Sequence, residues 1–353
     1  MSNRLHYLLL IVGLLLINAC QTLSKQDSPK VAPNMPPNDG GLSSKSPAND
    51  SGNVTNNTTS PDTNFQSKLC AGVYDSASAH ATLPGTLLLE ISGLSPSGAS
   101  ENILWAHNDS GDAAQIYAVH TNGTHLATVQ LSGVNATDFE DMASAACPDG
   151  NGFCLYIADV GDNRHQRETL QIHILKEPSV DETLSTQLIS QAIDTTINLT
   201  FTGEKPNIEA FVVNAQNHQG YLFEKAENQM PRLFKVDLQG DAQQTLDHIT
   251  TFSTPRLPNG VDFTTIITAG AYHTNAKRLV LKTYAAIFEY RFIGDQTIES
   301  ITEVTPITIS ERPNWELQGE AITYSYWGDA ILSASEDPSN SGSQQVSAFI
   351  CSQ

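Results

Sequence analysis

One pair of short apolar segments recurs five times along this chain, and the repetition constrains the fold more than any other feature. The first member of each pair opens at Ser92-Gly93-Leu94, Glu140-Asp141-Met142-Ala143, Glu209-Ala210-Phe211-Val212, Ala269-Gly270-Ala271-Tyr272 and Glu320-Ala321-Ile322-Thr323. The second starts 10 to 15 residues later, at Leu104, Leu155, Tyr221, Leu279 and Ile331, and ends in polar, mostly acidic residues. Self-similarity at a fixed period marks solenoids, propellers and arrays.

The segments between these markers are short, β-branched and aromatic, for example Ile116-Val119, Leu126-Leu131, Leu170-Leu175 and Ile287-Phe292, and Gly, Asn, Asp and Pro separate them. The pattern predicts an all-β fold, a β-propeller of four-stranded antiparallel blades. Intervals of 48 to 69 residues between openings give five blades over residues 69–353. A sixth would have to lie in the longest interval, between Glu140 and Glu209. A two-sheet sandwich is the alternative, and it does not explain the regular offsets. Closure calls for an N-terminal strand, expected at Thr86 to Ile91, beside the last blade near Val346 to Ile350, because an open sheet edge invites pairing with another chain. Gln187 to Ala192 reads as a single helical turn.

The N-terminus reads as an address. Arg4 precedes an apolar run, Leu8 to Ile17, too short to span a bilayer. The run ends in Ile17-Asn18-Ala19-Cys20, which resembles the bacterial lipobox whose cysteine is lipidated. Residues 1–19 are then a lipoprotein signal peptide and Cys20 the lipidated residue. Gln21 after it, rather than Asp, implies an outer-membrane lipid anchor. Residues 20–68 hold Ser, Asn, Pro, Asp, Gly and Thr and almost no large apolar side chains, the composition of a disordered tether. With 38 acidic against 18 basic residues the net charge is −20, which argues against nucleic acid as a partner and suits cation binding.

Four further cysteines fit an oxidising compartment. Cys147 and Cys154 flank a turn-rich loop and predict a hairpin disulfide. Cys70 and Cys351 are left at the two ends of the folded region, and their pairing would staple neighbouring termini. No Cys-x-x-Cys or His spacing points to a structural zinc.

In a propeller the first strand of each blade lines the central channel. The repeat therefore aligns Glu140, Glu209 and Glu320, with Ser92 and Ala269 in the same place in the other two blades. Converging carboxylates either hold protons or bind a cation, and an all-oxygen set suits Ca²⁺ or Mg²⁺. At the ends of the second strands Asn108, Asp159, Lys225, Thr283 and Ser335 align. Glu140, Glu209, Glu320, Asp159 and Asn108 are the expected metal ligands. Lys225 and Lys282 either hold an anionic group or neutralise Glu224 and Glu289. Turn chemistry alone also explains the Asp-Gly and Gly-Asp-Asn groups. No Ser-His-Asp order or nucleophile elbow stands out.

Leu104-Trp105-Ala106-His107-Asn108-Asp109-Ser110-Gly111-Asp112, Asp138-Phe139-Glu140-Asp141-Met142-Ala143, Asp159-Val160-Gly161-Asp162-Asn163, Glu224-Lys225, Lys282-Thr283-Tyr284 and Gly319-Glu320-Ala321 together resemble a group of largely uncharacterised bacterial secreted β-propellers. That group is related in pattern to the SdiA-regulated, phytase-like and esterase-like propellers. The resemblance implies a calcium-compatible propeller and no particular reaction, since fold alone does not carry function. Two functions are open. One is a cation-stabilised lipoprotein that binds a small anionic ligand or an envelope protein. The other is a Ca²⁺-dependent hydrolase of a phosphoester, lactone or other ester, with Glu140, Glu209 and Asp159 (with Glu320) at the metal and activated water, and Lys225 and Lys282 on the anion.

Overall fold

The computed structural model describes residues 69–352 apart from 86, 228, 258–265, 312–315, 317 and 338–343. The signal peptide, the tether and Cys20 lie outside the described residues.

Strands β1 (Val73–Tyr74) and β2 (Ser78–Thr82) come first. Blade 1 holds β3 (Ile91–Pro96), β4 (Ile103–Asn108), β5 (Gln115–His120) and β6 (His125–Ser132). Blade 2 begins with β7 (Phe139–Ala146), β8 (Phe153–Asp159) and β9 (Leu170–Lys176). The chain then sends β10 (Gln187–Ala192) back to lie parallel to β6, and β11 (Thr195–Thr200) completes blade 2. Blade 3 is β12 (Ile208–Asn214), β13 (Gln219–Glu224), β14 (Arg232–Asp237) and, after the short β15 (Gln243–Thr245) has joined β11, β16 (Asp247–Thr251). Blade 4 is β17 (Ile267–His273), β18 (Arg278–Thr283), β19 (Ala286–Arg291) and β20 (Ile307–Glu311). Blade 5 is β21 (Gln318–Tyr324), β22 (Ala330–Glu336) and β23 (Gln345–Ser352). Among the described residues the sheets number five, one per blade.

Two expectations are corrected. Gln187 to Ala192 is a strand, not a helical turn: its side chains alternate between half-buried and exposed, the period of a strand on one apolar surface, and Ile189 packs onto the core between blades 1 and 2. This strand also fills the long interval that a sixth blade would have needed. The closing strand is not Thr86 to Ile91 but β2, antiparallel to β23 from Ser78 opposite Ala348 to Thr82 opposite Gln345, with β1 paired to the end of the same strand. Residues 87–90 instead turn into blade 1. The Cys70–Cys351 disulfide fixes this closure, and Cys147–Cys154 closes the β7–β8 hairpin loop.

The core consists of five apolar clusters, each lying between two neighbouring blades. Trp105 of blade 1 packs with Met142 and Ile157 of blade 2, and Phe223 of blade 3 with Phe288 of blade 4. The middle strands are buried on both faces, so they read as continuous apolar runs rather than as alternation.

Every innermost strand carries a β-bulge at the same place. The register skips Ser92 in β3, Glu140 in β7, Glu209 in β12, Thr268 in β17 and Glu320 in β21. A bulge leaves one residue outside the ladder and re-aims its side chain. Here it selects which residue of each blade turns toward the channel. Blade 4 therefore contributes Thr268, and not Ala269 as the apolar pattern suggested. The residue opposite each bulge is Asn108, Asp159, Glu224, Thr283 or Ser335, so Glu224 takes the position expected for Lys225.

Candidate functional site

The bulges gather Glu140, Glu209 and Glu320 at one end of the channel, where they are 1%, 2% and 5% exposed. In the other two blades the hydroxyls tie neighbouring blades together. Ser92 Oγ donates to the Glu140 carbonyl and Thr268 Oγ1 to the Gly319 carbonyl at 2.7 Å. Loops add further acids. Asp109 follows β4, Asp138 precedes β7, and Glu336 ends β22. Glu90, Asp109, Ser110, Asn163, Glu209, Lys225, Tyr284, Gln318, Glu320 and Glu336 line a pocket of about 290 Å³.

Two sets of carboxylate oxygens lie within 4.8 Å of one another, Asp109 with Glu320 and Glu336, and Asp109 with Asp138 and Glu140. Two unit charges that close repel by on the order of 3 kcal/mol at an effective dielectric of about 20. Without a cation the pocket therefore keeps protons. Burial, then Glu320 and Asp138, push the Asp109 carboxyl up to about 8. Burial and Glu320 push Glu336 up to about 10. Burial, with Glu209 and Asp109 behind it, raises Glu140 well above the usual carboxylate range.

Among the described residues two cations act at this end. The Arg167 guanidinium donates to the Gly161 carbonyl at 2.9 Å and lowers the pKa of Asp138 against burial, which raises it. Lys225 reaches the other side. Lys225 Nζ lies 3.1 Å from Glu209 Oε1 and 5.3 Å from the centre of the Tyr284 ring. Burial works to lower its pKa, but Glu209 and the other acids raise it well above normal. Asn207 Nδ2 donates to the same Glu209 oxygen at 3.0 Å, and the Tyr284 hydroxyl donates to Glu320 Oε1 at 2.5 Å. Glu140 Oε1 is buried with no hydrogen-bond partner.

The other expected site residues are committed elsewhere. Asn108 Oδ1 accepts from the Glu90 N–H at 3.3 Å, and its amide donates to the Leu87 carbonyl and to Asp112. Asp159 accepts the Thr137 and Asp138 N–H groups and pairs with Arg167 at 2.7 Å. Both side chains hold the segment that leads into the bulge, as Ser335 does for the Gln318 N–H. This is why polar residues recur there. Lys282 ends in a buried cluster with Glu316 and Ser333, while Lys225 pairs with Glu209, so each lysine is taken up by its own carboxylate. Neither lysine neutralises Glu224 or Glu289. Those take Arg232 and Arg291.

Asp141, next to the bulge of β7, links the inner strands of three blades. Its carboxylate is fully buried and accepts from the Met142 N–H at 2.8 Å, from the Phe211 N–H of blade 3 at 2.9 Å and from the Gly270 N–H of blade 4 at 3.1 Å. Beyond it the inner strands end around a second, larger and mostly apolar cavity of about 650 Å³, with Met142, Phe211, Tyr272 and Tyr324 in its wall. Spacing reveals neither Asp141 nor the loop acids Asp109 and Asp138 as site residues. The sequence signal for the latter two is their place in the acidic motifs Asn108-Asp109-Ser110 and Asp138-Phe139-Glu140, which gives them no role of their own.

No family model matches the chain, and no curated protein matches it. Solved structures similar to it include "Crystal structure of RRP9 WD40 repeats" at 11% identity and TM-score 0.40, covering 74% of this chain and 79% of that one. "Structure of U3-55K" stands at 10% and 0.38, covering 73% and 80%. "Crystal Structure of Mitotic Checkpoint Complex" stands at 11% and 0.35, with this chain spanning 63% of the length of the chain it matches. The propeller rests on the blade topology itself.

Proposed function

We propose that this chain is a binding module of the bacterial cell envelope, a lipoprotein held to the outer membrane through acylated Cys20. In this reading its propeller takes a divalent cation, Ca²⁺, at the acidic end of the channel and receives a small anionic ligand or an envelope protein there. The observation that carries the reading is the excess of acid at one place. Asp109, Asp138, Glu140, Glu209, Glu320 and Glu336 outnumber Lys225 and the Arg167 guanidinium that acts on Asp138, and Glu140 lacks a donor for a fully buried oxygen. Oxygen-only ligands suit a hard cation. A carboxylate-bound ion with open positions would in turn attract an anionic group. The lipobox and the tether composition support the anchor.

The test is thermal unfolding of the full chain with Ca²⁺ and with chelator. At a hundredfold excess over Kd a ligand specific to the folded state adds about 2.7 kcal/mol, which for a domain of this size raises Tm by roughly 5 to 10 °C. Equal Tm under both conditions, with no heat on titration, would end the cation part. For the anchor, Cys20→Ser should move the protein from the membrane fraction to the soluble periplasmic fraction.

A further inference from the structure

The position of the ion within the pocket follows from what each carboxylate already holds. Glu209 Oε1 receives both Lys225 Nζ and Asn207 Nδ2. Glu320 Oε1 receives the Tyr284 hydroxyl, and Glu336 Oε2 receives Gln318 Nε2 at 2.7 Å. Glu140 differs, because its Oε1 is buried and has no partner. It lies within 4.8 Å of oxygens of Asp109 and Asp138, from the loop after β4 and the segment before β7. The three come from the facing ends of blades 1 and 2. Gly161 stands directly against two of them. A Cβ there would collide with Glu140 Oε1 and Asp138 Oδ2, so this space exists because residue 161 has no side chain. Gly161 has no positive φ, so the backbone itself does not demand glycine.

We infer that the cation is held off the axis, between blades 1 and 2, by Asp109, Asp138 and Glu140 under the backbone of Gly161, and that Glu209 and Glu320 are not its ligands. This rests on the cation reading above and deepens it. Glu209 stays paired with Lys225 and Glu320 with Tyr284, which leaves the Lys225 side of the pocket for the rest of a ligand. The donor set is anionic and all oxygen, which selects Ca²⁺ over softer metals. The remaining coordination positions fall to water or ligand.

Calorimetric titration of the chelator-treated full chain with CaCl₂ separates the possibilities. Asp138→Asn keeps the side chain's shape and removes one charge, and Gly161→Ala places a methyl group against two of the ligands. Each should weaken Ca²⁺ binding at least tenfold, and Glu320→Gln, which removes a charge beside the three ligands and no ligand itself, should weaken it less than Asp138→Asn does. Asp109→Asn gives the same readout if Asp138→Asn does not fold, as judged by circular dichroism. A larger loss in Glu320→Gln than in Asp138→Asn would overturn the assignment in favour of an axial ion. Affinity within threefold of wild type in both Asp138→Asn and Gly161→Ala would overturn it in favour of adventitious surface carboxylates. No heat with the wild-type chain would remove the cation reading itself, a result distinct from both.

Discussion

Asp141 shows how much one side chain does in this channel. Three backbone N–H groups on three different blades meet its carboxylate, out of contact with water. Removing an acceptor from a buried donor costs about 1 to 3 kcal/mol per donor. Asp141→Ala should therefore destabilise the domain by about 3 kcal/mol or more, read as a lower urea midpoint at unchanged m-value. Asp141→Asn should also destabilise, because its NH₂ must face an N–H. A loss below about 1 kcal/mol in the alanine variant would contradict the bridging role. In the sequence Asp141 reads only as one acid in an acidic run. Glu140, one residue earlier, was legible because Glu209 and Glu320 repeat its place at the head of an apolar strand.

The elements divide between those a local pattern specifies and those set by a partner strand. The middle strands were legible because burial on both faces gives an apolar run. The expected alignment slipped by one residue in blades 3 and 4, where Ala269 replaced Thr268 and Lys225 replaced Glu224. A bulge inserts one unpaired residue, and a one-residue shift turns a side chain to the other face. The closing strands were misplaced for a related reason. β2, Ser78-Ala79-His80-Ala81-Thr82, is mostly exposed and weakly apolar, so only its pairing with β23 identifies it. The disulfide beside it is then the larger support. Cys70–Cys351 closes a loop of 281 residues against 7 for Cys147–Cys154. Chain-entropy arguments give about 5.6 kcal/mol for the long loop and about 2.4 for the short one. Replacing Cys70 and Cys351 together by Ser should lower Tm more than replacing Cys147 and Cys154 together. The reverse order would show that closure does not depend on the staple.

For the whole molecule, the net charge of −20 matters most where the acids converge. Glu336 is pushed up to about 10 by burial first and Glu320 second. Folded chains thus keep a proton there that unfolded chains release near pH 4.5. The associated stability is fully present below that pH and is lost as pH rises toward 10. With chelator present, Tm should fall between pH 5 and pH 9. Glu336→Gln should flatten the fall, by up to about 1 kcal/mol per pH unit. A chelated wild-type chain whose stability rises over this range would show that the carboxylates are ionised and compensated in some other way.

The sequence by itself determined that the chain builds propeller blades and pointed to five of them, to both disulfides and to three of the converging acids. Each of these rests on a periodicity or a spacing that any stretch of the chain carries in its own residues. Only the tertiary structure decided which side chain of each inner strand faces the channel, which strand closes the ring, and that Asp109 and Asp138 join Glu140 while Asn108, Asp159 and Lys282 do not. Those outcomes depend on bulge register and on loops from neighbouring blades meeting in space, and neither leaves a period in the chain.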